Sequence, residues 1–150
     1  MKTKRILPIL LALLLAALAP RGLAAQQNAS SLAEFVATVS RLWAAGQADH
    51  IVALAPDDGR ILLDLAGDGP GEVQPRNAAA ALRRLFSERE NVSVRASRVT
   101  ISGGTPLRGF GELTWIAIPK GVTDTLSSVV YVGAVWEDGR WRIRELRVLR

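Results

Sequence analysis

Few residues in this 150-residue chain can do chemistry: it holds one tyrosine, one histidine and no cysteine. Asp64 stands in the otherwise apolar run "ILLDL", and Tyr131 in "SVVYVGAVW". A carboxylate and a phenol can serve together as proton base and hydrogen-bond donor to a developing oxyanion. Asp64 and Tyr131 are therefore the candidate catalytic pair. The competing reading puts Asp64 on an exposed strand face or near a strand end, with Tyr131 facing away from Val130 and Val132. That reading is preferred, because an ionisable residue marks a site only when burial and a specific charge partner accompany it.

His50 stands beside Asp49, but adjacent helical residues point in different directions. One histidine also cannot supply the three or four ligands of a zinc site, so neither a metal nor another cofactor is expected. "GDGPG" and "SGGTPLRGFG" lack the strand-to-helix context of a phosphate loop. "G-x-S-x-G" is absent, and "DDG" lacks the remaining oxygen ligands of a calcium loop. "NAS" at Asn28 and "NVS" at Asn91 match the glycosylation pattern. Arg140, Arg142, Arg144, Arg147 and Arg150 could form a stripe for an anionic surface. With Glu137 and Glu145 among them, a solvated outer sheet face is the simpler expectation.

The first 25 residues carry Lys2, Lys4 and Arg5, then an apolar run from Ile6 to Leu18, then small residues. This is the pattern of a cleaved secretory signal, and the run is shorter than the roughly 20 residues of a membrane span. Cleavage after Ala24 or Ala25 is expected. Residues 26–150 would then form one exported domain, periplasmic or extracellular, with no stable membrane span. Four of the basic residues leave with the signal, so the net charge falls from +5 to +1. Nucleic acid is not an expected partner at so low a charge.

Leu32, Phe35, Val36, Val39, Leu42 and Trp43 recur at helical spacing, with Ser30 or Ser31 placed to cap the start and Gly46 to close the end. "ADHIVALAP" reads as a short second helix, "RILLDL" as a short strand, "DGPGEVQP" as a loop and "RNAAAALRRLFSER" as a further helix. From Asn91 four segments show period-two alternation. In the last pair, "WEDGRW" contains the two-residue hairpin turn Asp138-Gly139, which sets Glu137 opposite Arg140 and Trp136 opposite Trp141. Val130, Val132, Ala134 and Ile143 share the tryptophans' face. Helices followed by a run of strands predict an α+β domain, with the helices packed on a curved antiparallel sheet.

The hairpin "WEDGRWRIREL" and the helix "NAAAALRRLF" resemble the nuclear transport factor 2-like superfamily, the cystatin-like α+β cone. Within it, the chain is most similar to a family of small secreted bacterial proteins of unknown function. The resemblance covers about residues 30–150 and implies an interior between helices and sheet. Trp43, Phe86, Trp136 and Trp141 are the expected ligand-binding residues of such an interior. The leading expectation is a non-enzymatic secreted or periplasmic domain that binds a small apolar ligand or a protein partner. One alternative is a ketosteroid isomerase-like isomerase, dehydratase or hydrolase using Asp64 and Tyr131. The other is a structural module that forms a homodimer through the sheet.

Overall fold

Leu32, Val36, Val39 and Trp43 are spaced four, three and four residues apart, which places them on one face of a helix. All four are fully buried in the computed structural model, which describes the backbone of residues 7–65 and 70–150 and side chains from residue 22 onward. The helix that carries them, α1, spans Leu7–Ala44. Residues 1–6 of the expected signal lie outside the described residues. Because α1 runs unbroken through residues 7–44, Ser30 and Ser31 lie inside it and do not cap its start; the Ser31 hydroxyl donates to Asn28 O at 3.0 Å. No helix among the described residues is long and apolar enough to cross a membrane.

Gly46, at φ +64°, ends α1. Its N–H donates to Trp43 O and that of Gln47 to Leu42 O, the paired bonds that satisfy a helix's last carbonyls when glycine turns left-handed. The next elements are α2 (Ala48–Val52), β1 (Ile61–Asp64), β2 (Gly71–Val73) and α3 (Pro75–Ser87). The short strand β2 lies in the stretch expected to be loop; it pairs antiparallel with β1. Residues 68 and 69 of that stretch, with 66 and 67 before it, lie outside the described residues. Pro75 opens α3 at the position where its missing N–H has no helical acceptor. Ala78, Ala79, Leu82 and Leu85 form the buried face of α3.

Four long strands follow: β3 (Arg89–Gly103), β4 (Arg108–Pro119), β5 (Leu126–Glu137) and β6 (Arg140–Leu149). They pair antiparallel in sequence order. The sheet order is β2-β1-β6-β5-β4-β3. The sheet is mixed, because β1 runs parallel to β6, a pairing that short-range turn signals cannot announce. On β4 every second residue from Gly109 to Ala117 is buried and faces the helices. Gly109 and Gly111 let α1 approach closely: a Cβ on Gly109 would stand 2.5 Å from Leu32, and one on Gly111 2.5 Å from Val36.

The interior is packed with aromatic rings. Trp43 meets Phe86 edge-on at 5.1 Å between centroids and Trp115 at 5.4 Å. Asn91 ties this cluster to the end of α1. Its amide nitrogen donates to Trp43 O and Ala44 O, both at 3.0 Å, and its carbonyl accepts from Trp115 Nε1 at 2.6 Å. The terminal hairpin has the expected register, Trp136 opposite Trp141 and Glu137 opposite Arg140. Asp138 and Gly139 both take positive φ, as the favoured hairpin turn requires.

Candidate functional site

Strand alternation sends Tyr131, Gly133, Val135 and Glu137 of β5 to the sheet face opposite the helices. Phe110 of β4 lies on the same outer face and stacks on Tyr131, with centroids 5.3 Å apart and planes 25° apart. Gly133 follows two residues later. A Cβ there would stand 2.9 Å from Glu145 Cβ, 3.3 Å from Glu145 Oε2 and 3.5 Å from the Tyr131 ring. The absence of a side chain at Gly133 thus allows a phenol ring and a carboxylate to converge over the strand.

Opposite Gly133 the ladder slips. Gly133 pairs with Glu145 and Ala134 with Ile143, leaving Arg144 as an extra residue on β6. Such a bulge re-aims side chains. Before it, Trp141 and Ile143 face inward; after it, Leu146 and Val148 do, and all four are buried. The expectation of a solvated arginine face holds at Arg140 and Arg150, which are exposed, and fails at Arg142. Arg142 is 6% exposed; it donates to Ala55 O at 3.2 Å and stands 3.5 Å from Asp57. Arg144 contacts both carboxylate oxygens of Asp58 at 2.9 Å and Glu137 at 2.9 Å. Hydrogen bonding from Arg144 holds the Asp58 carboxyl below its ordinary value. Arg147 is ion-paired with Glu145.

These groups border an open cleft of about 630 Å³ on the outer face. It is lined by Gly133, Ala134 and Val135 of β5, by Leu62 and Glu72 from β1 and β2, and by Pro106 and Arg108 at the start of β4, with Tyr131, Glu137, Arg144 and Glu145 supplying further polar atoms. The volume suits a small molecule. Burial, then the nearby Glu145 charge, pushes the Tyr131 phenol above its ordinary value. At neutral pH it is therefore a protonated hydrogen-bond donor.

Asp64 lies on the same face, but Arg147 stands between it and Tyr131: Asp64 pairs with Arg147 across β1 and β6, and Tyr131 pairs with Arg147 across β5 and β6. Two strand spacings separate the candidates, about 10 Å. The carboxylates brought near Tyr131 are those of Glu145 and, directly opposite it on β4, Glu112. Trp43 and Trp141 lie in the core at 0% and 4% exposure, while Phe86 and Trp136 are half-buried against it. Trp136 and Trp141 meet edge-on at 5.4 Å. His50 is exposed on α2, and its neighbour Asp49 is bound by Arg83. Among the described residues, no group of three or more histidine or acidic side chains is placed to hold a metal ion.

Gly133, Glu137 and Glu145 were not singled out from the sequence as site residues, and Arg144 only as part of the candidate arginine stripe. The signals were a lone glycine inside a strand, which marks a bulge or close approach, and the three-residue step from Ile143 to Leu146 in a period-two pattern.

The chain matches no protein-family model and no curated protein sequence. Solved structures do match its fold. A DUF4783 family protein from Bacteroides uniformis shares 13% identity over 75% of this chain and 93% of its own, with a TM-score of 0.60. A domain of unknown function with a cystatin-like fold from Nostoc punctiforme shares 15%, over 81% and 75%, at 0.60. An NTF2-like protein with a cystatin-like fold from Novosphingobium aromaticivorans shares 16%, over 85% and 84%, at 0.57. The chain thus has the cystatin-like α+β fold of nuclear transport factor 2-like proteins. Activity does not follow from that fold.

Proposed function

We propose that this protein is an exported, non-enzymatic binding module that works through the outer face of its sheet, with the cleft over Gly133 seating a small apolar ligand. One observation carries this reading: Trp43, Phe86 and Trp115 pack edge-on against one another behind the sheet, while an open concavity lined by both apolar and charged residues lies in front of it. The expected binding surface moves accordingly from the tryptophans to Leu62, Val135 and the Phe110–Tyr131 stack. Titrating an environment-sensitive apolar dye against wild type, Tyr131→Ala and Phe86→Ala tests the reading. Loss of binding confined to Tyr131→Ala supports it; loss confined to Phe86→Ala returns the site to the interior.

A second reading rests on the convergence of Tyr131 and Glu145. A protonated phenol beside a carboxylate is the minimum for isomerase-type proton transfer, and Glu145 would then take the role expected of Asp64. Turnover of a small carbonyl substrate that is lost in Glu145→Gln but kept in Asp64→Asn would favour this reading over the binding module.

A further inference from the structure

The cleft over Gly133 carries charges of both signs, and nearly all of them are already engaged. Glu72 is paired with Arg60, Glu137 with Arg144, and Glu145 with Arg147. Arg144 is held further by both carboxylate oxygens of Asp58. Arg108 is the exception. Its neighbour Gly109 is buried against α1, so strand alternation turns Arg108 outward, where it borders the cleft. It is exposed, and among the described residues it forms no ion pair. Each carboxylate that lines the cleft therefore has its cation, and one guanidinium is left over.

The two ends of the cleft differ in what they can accept. Arg108 stands opposite Val135, and Glu112 opposite Tyr131. Four residues of β5 separate these ends, about 13 Å. The charges of Glu145 and Glu112 both act on the Tyr131 phenol, so a further anion is repelled there. Between the ends lie Gly133, whose missing side chain leaves the cleft open, and the Phe110 ring stacked on Tyr131.

We propose that the ligand of this cleft is a small apolar monocarboxylic acid, with its carboxylate on Arg108 and its apolar body laid along β5 over Gly133 toward the Phe110–Tyr131 stack; this rests on the outer-face binding reading. A guanidinium offers parallel N–H groups that match a carboxylate. An exposed ion pair alone contributes little, but an apolar body seated in the cleft keeps the carboxylate at a high local concentration beside Arg108. One unpaired cation neutralises one negative charge. A phosphate ester carries close to two at neutral pH, and its second would stand unopposed near Glu137 and Glu145. An ammonium would meet Arg108 and find no unpaired carboxylate among the lining residues.

Isothermal titration calorimetry with decanoate, decanol and decylammonium, each below its aggregation concentration, tests the assignment. The probes share one apolar chain and differ in the charge of the head. Wild type should bind decanoate about tenfold or more tightly than decanol, the scale of one charge-assisted hydrogen bond, and decylammonium least. Arg108→Gln should bring decanoate to the level of decanol and leave decanol unchanged. Arg108→Lys should keep part of the preference, because it retains the charge and loses the fork. Tyr131→Ala should weaken decanoate and decanol alike. Circular dichroism establishes that each variant is folded. Equal wild-type affinity for decanoate and decanol, or a decanoate preference that survives Arg108→Gln, overturns the acid; if Tyr131→Ala still weakens decanol, the outer-face reading stands without it. A wild type that binds none of the probes, or binding lost only in Phe86→Ala, sinks the outer-face reading as well.

Discussion

The indole N–H of Trp141 donates to the hydroxyl of Ser31 at 3.0 Å, joining the last hairpin to the first helix across 110 residues. Trp141 is 4% exposed, so its ring and its single donor are both accounted for inside the fold. Trp141→Ala should cost about 3–5 kcal/mol, the range for truncating a large buried aromatic. Ser31→Ala should cost about 1–3 kcal/mol, because it leaves the indole N–H without an acceptor. Urea unfolding measures both. A Trp141→Ala loss below about 0.5 kcal/mol, the scale of surface changes, would show that the ring is not buried.

Asn91 uses both amide hydrogens and its carbonyl oxygen on Trp43, Ala44 and Trp115. Its sequon is therefore engaged in holding the end of α1. Asn91→Ala should destabilise by about 1–3 kcal/mol, the cost of stranding buried polar atoms. In a host that glycosylates secreted proteins, peptide mapping should find any glycan at Asn28. A glycan on Asn91 of the folded protein would contradict the network.

Gly133 has no room for a methyl group. Gly133→Ala should force Glu145 aside and cost about 1–3 kcal/mol, as overpacking does, even though β-strand propensity favours alanine over glycine. Equilibrium unfolding tests the sign. A stabilised variant would mean that Glu145 does not lie over the strand.

Asp58 titrates below the ordinary carboxylate value because Arg144 hydrogen-bonds it. A depressed folded-state value gives stability that is present above the unfolded value and lost as pH falls through the folded one. Nuclear magnetic resonance titration should place the Asp58 midpoint low in wild type and return it to ordinary in Arg144→Gln. The acid-unfolding midpoint of that variant should move to higher pH. An Asp58 midpoint unaffected by Arg144→Gln would show that the contact is not formed in solution.

Export makes a prediction at the amino terminus. The basic, apolar and small-residue order of residues 1–25 should yield a secreted product beginning near Ala25 or Gln26. That product would keep Ser31 and Leu32, and with them the contacts to Trp141 and Gly109. Edman sequencing that returned Met1 from the exported protein would overturn the signal and the near-neutral charge argued from it.

The terminal hairpin was legible because Asp138-Gly139 fixes a two-residue turn, and alternation then orders Trp136, Trp141, Val130 and Val132 without help from the rest of the chain. The helical faces were legible from period alone. What could not be read was non-local. The parallel β1–β6 pairing joins residues about eighty positions apart, and no local signal names that neighbour. The burial of Arg142 depends on a loop carbonyl at Ala55 and on Asp57. Asp64 and Tyr131 could each be placed on the outer face, yet whether they touch depended on which strand lies between β1 and β5. That strand is β6, and it put Arg147 between them and Glu145 beside Tyr131.

Strand β4 separates two kinds of information. Gly109, Gly111, Leu113, Trp115 and Ala117 are buried against the helices, while Phe110, Glu112, Thr114, Ile116 and Ile118 are half-exposed on the other face. The first set answers to packing, where even one methyl at Gly111 would collide with Val36. The second set can be rewritten with far less effect on stability. On the proposed reading, the outer positions can therefore change what is recognised while the scaffold is kept. A combinatorial library confined to those five outward positions would sample new specificities without spending its diversity on chains that cannot fold.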